Sequence, residues 1–139
     1  SRQMSKLGGI IGMGLAYAGG AREDLIELLT DNIINTQINV EISAFSALSL
    51  GLIFVGTCND DVAMSILQTL MESPENQLNL TVARYFGVAL GLLFLGKGEA
   101  SEASVEILNS MENPRSFSIY LFREIFYSNS FIMFICWNW

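Results

Sequence analysis

The 139-residue chain is 51% hydrophobic and only 15% charged, which is enough apolar material for one buried core. Its 14 acids against 7 bases give a net charge of −7, which excludes a phosphate-backbone binder built on clustered Lys and Arg. The sequence has no His, so the commonest general base, the Ser-His-Asp and Cys-His nucleophile systems and the usual zinc ligand are all missing, and the distant Cys58 and Cys136 make no C-x-x-C pair.

The chain opens Ser-Arg-Gln-Met, with neither an initiator Met nor a leader-like charged and apolar sequence, as expected of an internal piece of a longer protein. Residues 7–18 give the first predicted helix, apolar and rich in small residues. Gly19 follows where a helix end calls for the left-handed conformation. A polar turn then opens on Arg22-Glu23-Asp24, and an amphipathic helix is predicted over 24–34. The same order returns. An apolar helix over 40–55 ends at Gly56, and Asn59 is placed to cap a second helix over 61–72. In that helix Val62, Ile66, Leu67 and Leu70 share a face that excludes Asp61, Gln68 and Glu72. Ser73-Pro74 closes it, because the residue before Pro resists the helical region. A third apolar helix over 80–95, Gly96, an acidic turn at 99–102 and a helix over 102–111 complete the series before Asn113-Pro114.

Three segments therefore align: Gly14-Leu-Ala-Tyr-Ala-Gly19, Gly51-Leu-Ile-Phe-Val-Gly56 and Gly91-Leu-Leu-Phe-Leu-Gly96. Their offsets of 37 and 40 residues suit a helix-turn-helix solenoid unit. The expected fold is all-α, three hairpins over residues 1–117, with the apolar helices as a tight inner layer and the acid-bearing helices outside. Gly8, Gly9, Gly12 and Gly14 each cost about 0.5–1 kcal/mol relative to Ala within a helix, so they are expected where neighbouring helices approach closely. Tyr17, Phe54 and Phe94, ahead of the turn glycines, are expected in the core.

Chemical readings of these residues fare poorly. Gly12-Met-Gly14 lacks the preceding strand and third glycine of a dinucleotide loop, and no Walker Lys-Ser/Thr follows. Asp61 and Glu72, three helical turns apart, are too distant to share a proton or an ion, and Cys58 has no neighbouring base. The apolar runs 44–55 and 82–95 are too short and interrupted for membrane spans. A membrane-associated reading rests only on the apolar tail and a mean hydropathy of +0.42. No cofactor, metal or catalytic residue is expected.

The run 7–19 with Arg22-Glu23-Asp24, the stretch Val55-Gly-Thr-Cys-Asn-Asp-Asp-Val62 with Ile66-Leu-Gln-Thr69, and Leu95-Gly-Lys-Gly-Glu-Ala100 resemble the proteasome/cyclosome repeat. They are most similar to its form in the ubiquitin-receptor scaffolds of the proteasome regulatory particle base. The resemblance covers about residues 5–117. It implies an arc of a closed ring within a much longer chain, and a non-enzymatic receptor and scaffold found in cytoplasm and nucleus. The implied partners are ubiquitin, ubiquitin-like domains and the proteasome ATPase and non-ATPase subunits, with neither nucleic acid nor membrane. By position, the implied binding face falls on Asp61, Gln68 and Glu72, flanked by Asp24 and Glu27 before and by Glu102 and Glu106 after. Gln68 stands where some members carry Asp; it loses charge but can still hydrogen-bond. The implied structural glycines are Gly14, Gly19, Gly51, Gly56, Gly91 and Gly96. Residues 118–139, aromatic-rich and without Gly, depart from the pattern; they read either as a diverged helix or as sequence foreign to the repeat, and the second reading is favoured.

Overall fold

A computed structural model describes residues 2–35, 38–78, 80–96 and 106, and among these every regular element is helical. Helix α1 spans Arg2–Ala16, α2 Ile26–Ile34, α3 Val40–Ile53, α4 Asp60–Glu72, α5 Glu75–Leu78 and α6 Arg84–Leu93. Single 3-10 turns at Glu23–Leu25 and Thr81–Ala83 lead into α2 and α6, where unbroken α-helix was expected. The expected third outer helix over 102–111 and the tail lie outside the described residues, apart from the exposed, helical Glu106. Among the described residues no helix is long and apolar enough to cross a membrane.

The helices form two layers. Helix α3 packs between α1 and α6, while α2 lies across α3 and beside α4. The sequence explains why α3 is central. It is apolar or small on every side, and Ala44, Ala47, Leu50 and Ile53 are fully buried. By contrast α4 turns one stripe inward, with Val62, Ile66, Leu67 and Leu70 buried, and leaves its acids outside. Side chains of Asn39 and Asn59 cap α3 and α4, accepting from the backbone N–H groups of Glu41 and Val62 at 2.8 and 3.1 Å. Helix α4 ends at Ser73 in the extended conformation that Pro74 demands.

Close approach decides the inner layer. A Cβ added to Gly14 would meet Ser49 backbone and side chain at 2.7–2.9 Å, and one on Gly51 would meet the Ala89 backbone at 2.8 Å. At the first crossing Ser49 Oγ donates to the Ile10 carbonyl at 2.7 Å. The expectation fails for Gly8, Gly9 and Gly12, whose added Cβ would meet nothing within 4 Å. They share with exposed Met4 and Leu15 the side of α1 that no described helix covers.

A backbone ladder joins successive hairpins. The Gly19 and Ala21 N–H groups donate to the carbonyls of Leu52 and Ile53, both at 2.9 Å. One repeat later, Gly56 and Cys58 donate to Leu92 and Leu93 at 3.0 and 3.1 Å. Each turn thereby satisfies the open carbonyls at the end of the next inner helix. The geometry needs left-handed backbone twice per turn: Gly19 and Gly56 have φ of 75° and 72°, Ala21 and Cys58 of 47° and 57°. Gly96 repeats the first of these at 87°. Gly14, Gly51 and Gly91 all lie within helices, where Gly14 and Gly51 serve helix packing, whereas the glycine at the end of each motif serves the turn.

Candidate acidic docking face on the outer helices

Helices α2 and α4 run side by side on the outside and leave an open groove between them. It is lined by Glu23, Ile26, Glu27 and Thr30 from one hairpin and by Asn59, Asp61 and Ser65 from the next. Asp61, Ser65, Gln68 and Glu72 are spaced to form a single stripe along α4. Asp61, Gln68 and Glu72 are all exposed, and Gln68 Nε2 donates to Glu72 Oε1 at 3.1 Å, so the glutamine steadies a carboxylate instead of adding one. Glu72 also borders a hollow of mixed character at the far end of α4, where Ile34, Ile38, Val40 and Phe86 meet Asn35, Thr69 and Gln77.

Of the flanking acids, Glu27 joins the groove and Asp24 does not. The Asp24 carboxylate is held by Arg22, whose Nε and Nη2 donate to its two oxygens at 2.9 and 2.7 Å. The forked hydrogen bonds, then the charge itself, push the Asp24 carboxyl below its ordinary range and the Arg22 guanidinium above its own. Arg22 also lies over the Tyr17 ring, 4.6 Å from its centroid. Tyr17 is accordingly 39% exposed and not core, because the chain turns away after α1 and uses the ring as a shelf for the guanidinium. Phe54 and Phe94 are buried as expected.

Sequence reasoning missed several residues of this face. Glu23 and Ile26 belong to the groove, and Met64 and Met71 stand 53% and 50% exposed on α4. A helical wheel of 61–72 would have shown both methionines off the buried stripe; Glu23 and Ile26 needed the α2–α4 pairing. Over 22–34 and 59–72 the acids Glu23, Asp24, Glu27, Asp31, Asp60, Asp61 and Glu72 face a single base, Arg22.

The family model of the proteasome/cyclosome repeat matches residues 46–78, from the middle of α3 through α5. The 26S proteasome regulatory subunit rpn1 of Schizosaccharomyces pombe is 48% identical over 97 residues, 70% of this chain. The chain carries a proteasome/cyclosome repeat and is similar to a repeat segment of proteasome regulatory subunits. The segment is also 41% identical over 63 residues (45% of the chain) to 26S proteasome regulatory subunit rpn-1 of Neurospora crassa. It is 37% identical over 68 residues (49% of the chain) to 26S proteasome non-ATPase regulatory subunit 2 of Dictyostelium discoideum. It spans only 11%, 7% and 8% of the lengths of these three relatives.

Proposed function

We propose that the repeat segment is part of a non-catalytic scaffold of the 26S proteasome regulatory particle, and that its outer helices receive ubiquitin and ubiquitin-like domains for ubiquitin-dependent degradation. The observation that carries this reading is the groove between α2 and α4, where Glu23, Glu27 and Asp61 surround the half-buried Ile26, with Met64 and Met71 exposed on α4. Such a surface suits a partner with an apolar patch and a basic rim, since charge sets encounter and orientation while apolar contact supplies the holding force. Weak single contacts of this kind gain strength when several modules on one chain engage together. The relatives' names support the proteasomal setting; the particle's ATPase and non-ATPase subunits as neighbours, and the cytoplasm and nucleus as location, belong to the proposal.

Labelled ubiquitin titrated with the folded chain provides the test. Fast-exchange shifts confined to one ubiquitin face are expected, with binding reduced at least tenfold by joint Asp61→Lys and Glu72→Lys. An unchanged ubiquitin spectrum, with the chain shown to be helical by circular dichroism, would rule the receptor role out. Charge reversal that leaves binding intact but disrupts assembly would instead favour a purely architectural segment, a reading supported by the backbone ladder between hairpins.

A further inference from the structure

We propose that Arg22 is a specificity-determining residue of the outer face: it cancels the Asp24 carboxylate, so that a basic-rimmed partner is drawn to Glu23, Glu27 and Asp61 and not to the Tyr17–Asp24 corner. The inference rests on the receptor reading above. Four observations carry it. Asp24 and Arg22 are 58% and 45% exposed, so either could meet a partner, yet each is occupied by the other through two short hydrogen bonds. Tyr17 supports the guanidinium from below, and the Gly19 and Ala21 N–H groups pin the turn to α3, so the pair is held in place. Glu23 and Glu27 line the α2–α4 groove while Asp24, between them in sequence, does not. Finally, Arg22 is the one base among the described residues of 22–34 and 59–72.

An intramolecular guanidinium fork competes with any incoming Lys or Arg for the same carboxylate, and it is already in position. The corner is therefore neutral, whereas the groove a few residues away keeps its full negative charge. A partner's basic rim finds its attraction on one side of the face only, which fixes its orientation.

The test uses the full chain and labelled ubiquitin at low ionic strength. R22A exposes an uncompensated carboxylate and is expected to bind about twofold to fivefold more tightly, chiefly through faster association. D24N leaves the guanidinium uncompensated and is expected to weaken binding by a similar factor. The double variant R22A/D24N returns to the wild-type value, and R22K stays near it. A pair that mattered only for the shape of the turn would lower binding in R22A, D24N and the double variant alike, which overturns the proposal. So does an R22A variant that binds no more tightly than wild type. If neither wild type nor R22A shifts any ubiquitin resonance, the receptor reading falls and takes this inference with it. If wild type binds and is weakened by Asp61→Lys while R22A is not tighter, only the role of Arg22 falls.

Discussion

Ala21 and Cys58 hold matched places in their turns and share a left-handed backbone that costs a non-glycine residue about 1–2 kcal/mol. The hydrogen bonds from their N–H groups to Ile53 and Leu93 offset that strain. Gly56 sits in the same region with φ of 72°, and a Cβ there would stand 3.2 Å from the Leu95 carbonyl oxygen. Gly56→Ala is therefore expected to destabilise by about 1–2 kcal/mol in urea unfolding, without changing the slope of the transition. The Arg22–Asp24 pair makes a prediction of a different kind. A carboxyl lowered on folding stabilises the fold above its ordinary range and loses that contribution only as pH falls through the depressed value. Followed by NMR, Asp24 should titrate below the ordinary 3.8, and R22A should bring its midpoint back up.

Helices in this molecule use the same residue type for opposite purposes. Gly51 of α3 is filled from outside by the Ala89 backbone of α6, an obstacle that cannot swing aside. Gly51→Ala should cost about 1–3 kcal/mol, the range for overpacking a tight crossing. Gly12 of α1 faces open space, so Gly12→Ala is expected to raise stability by about 0.5–1 kcal/mol through helix propensity alone. Chemical denaturation of the two variants beside wild type checks both signs at once. The alternating layers follow from the same economy of shape: α3 carries no polar face and must be covered all round, whereas α4 carries one and must not be.

For the whole molecule the deciding quantity is the distribution of charge. A net charge of −7 would be diffuse on a sphere, but the outer layer gathers seven acids against Arg22 on α2, the turn that leads into it and α4. Binding of a basic-rimmed partner should weaken markedly as ionic strength rises from about 0.01 to 0.15 M, where the screening length falls from about 30 to 8 Å. Surface plasmon resonance should show the loss mainly in the association rate, with dissociation nearly constant. A salt-independent affinity would mean that the methionines and Ile26, not the carboxylates, make the contact.

Much of this was legible before any coordinates. The glycine-ended motifs recur at fixed offsets because each hairpin must end its inner helix, turn left-handed and start again, and a turn of that kind leaves its residue type in the chain. The acids of α4 were legible too, since a helix places residues seven and eleven apart on one side whatever surrounds it. The sequence could not show which glycines have a neighbour, because Gly8 and Gly14 look alike until a second helix is laid against one of them. Nor could it show that Asp24 is already taken, that Tyr17 is a shelf, or that Glu23 and Ile26 face Asp61 across a groove. The Arg22–Asp24 fork is local but depends on the backbone of the turn that carries it, and the other contacts join residues of different helices or opposite sides of a turn. Local periodicity fixed the hairpins, and the packing of one hairpin on the next decided which of their residues remain open to a partner.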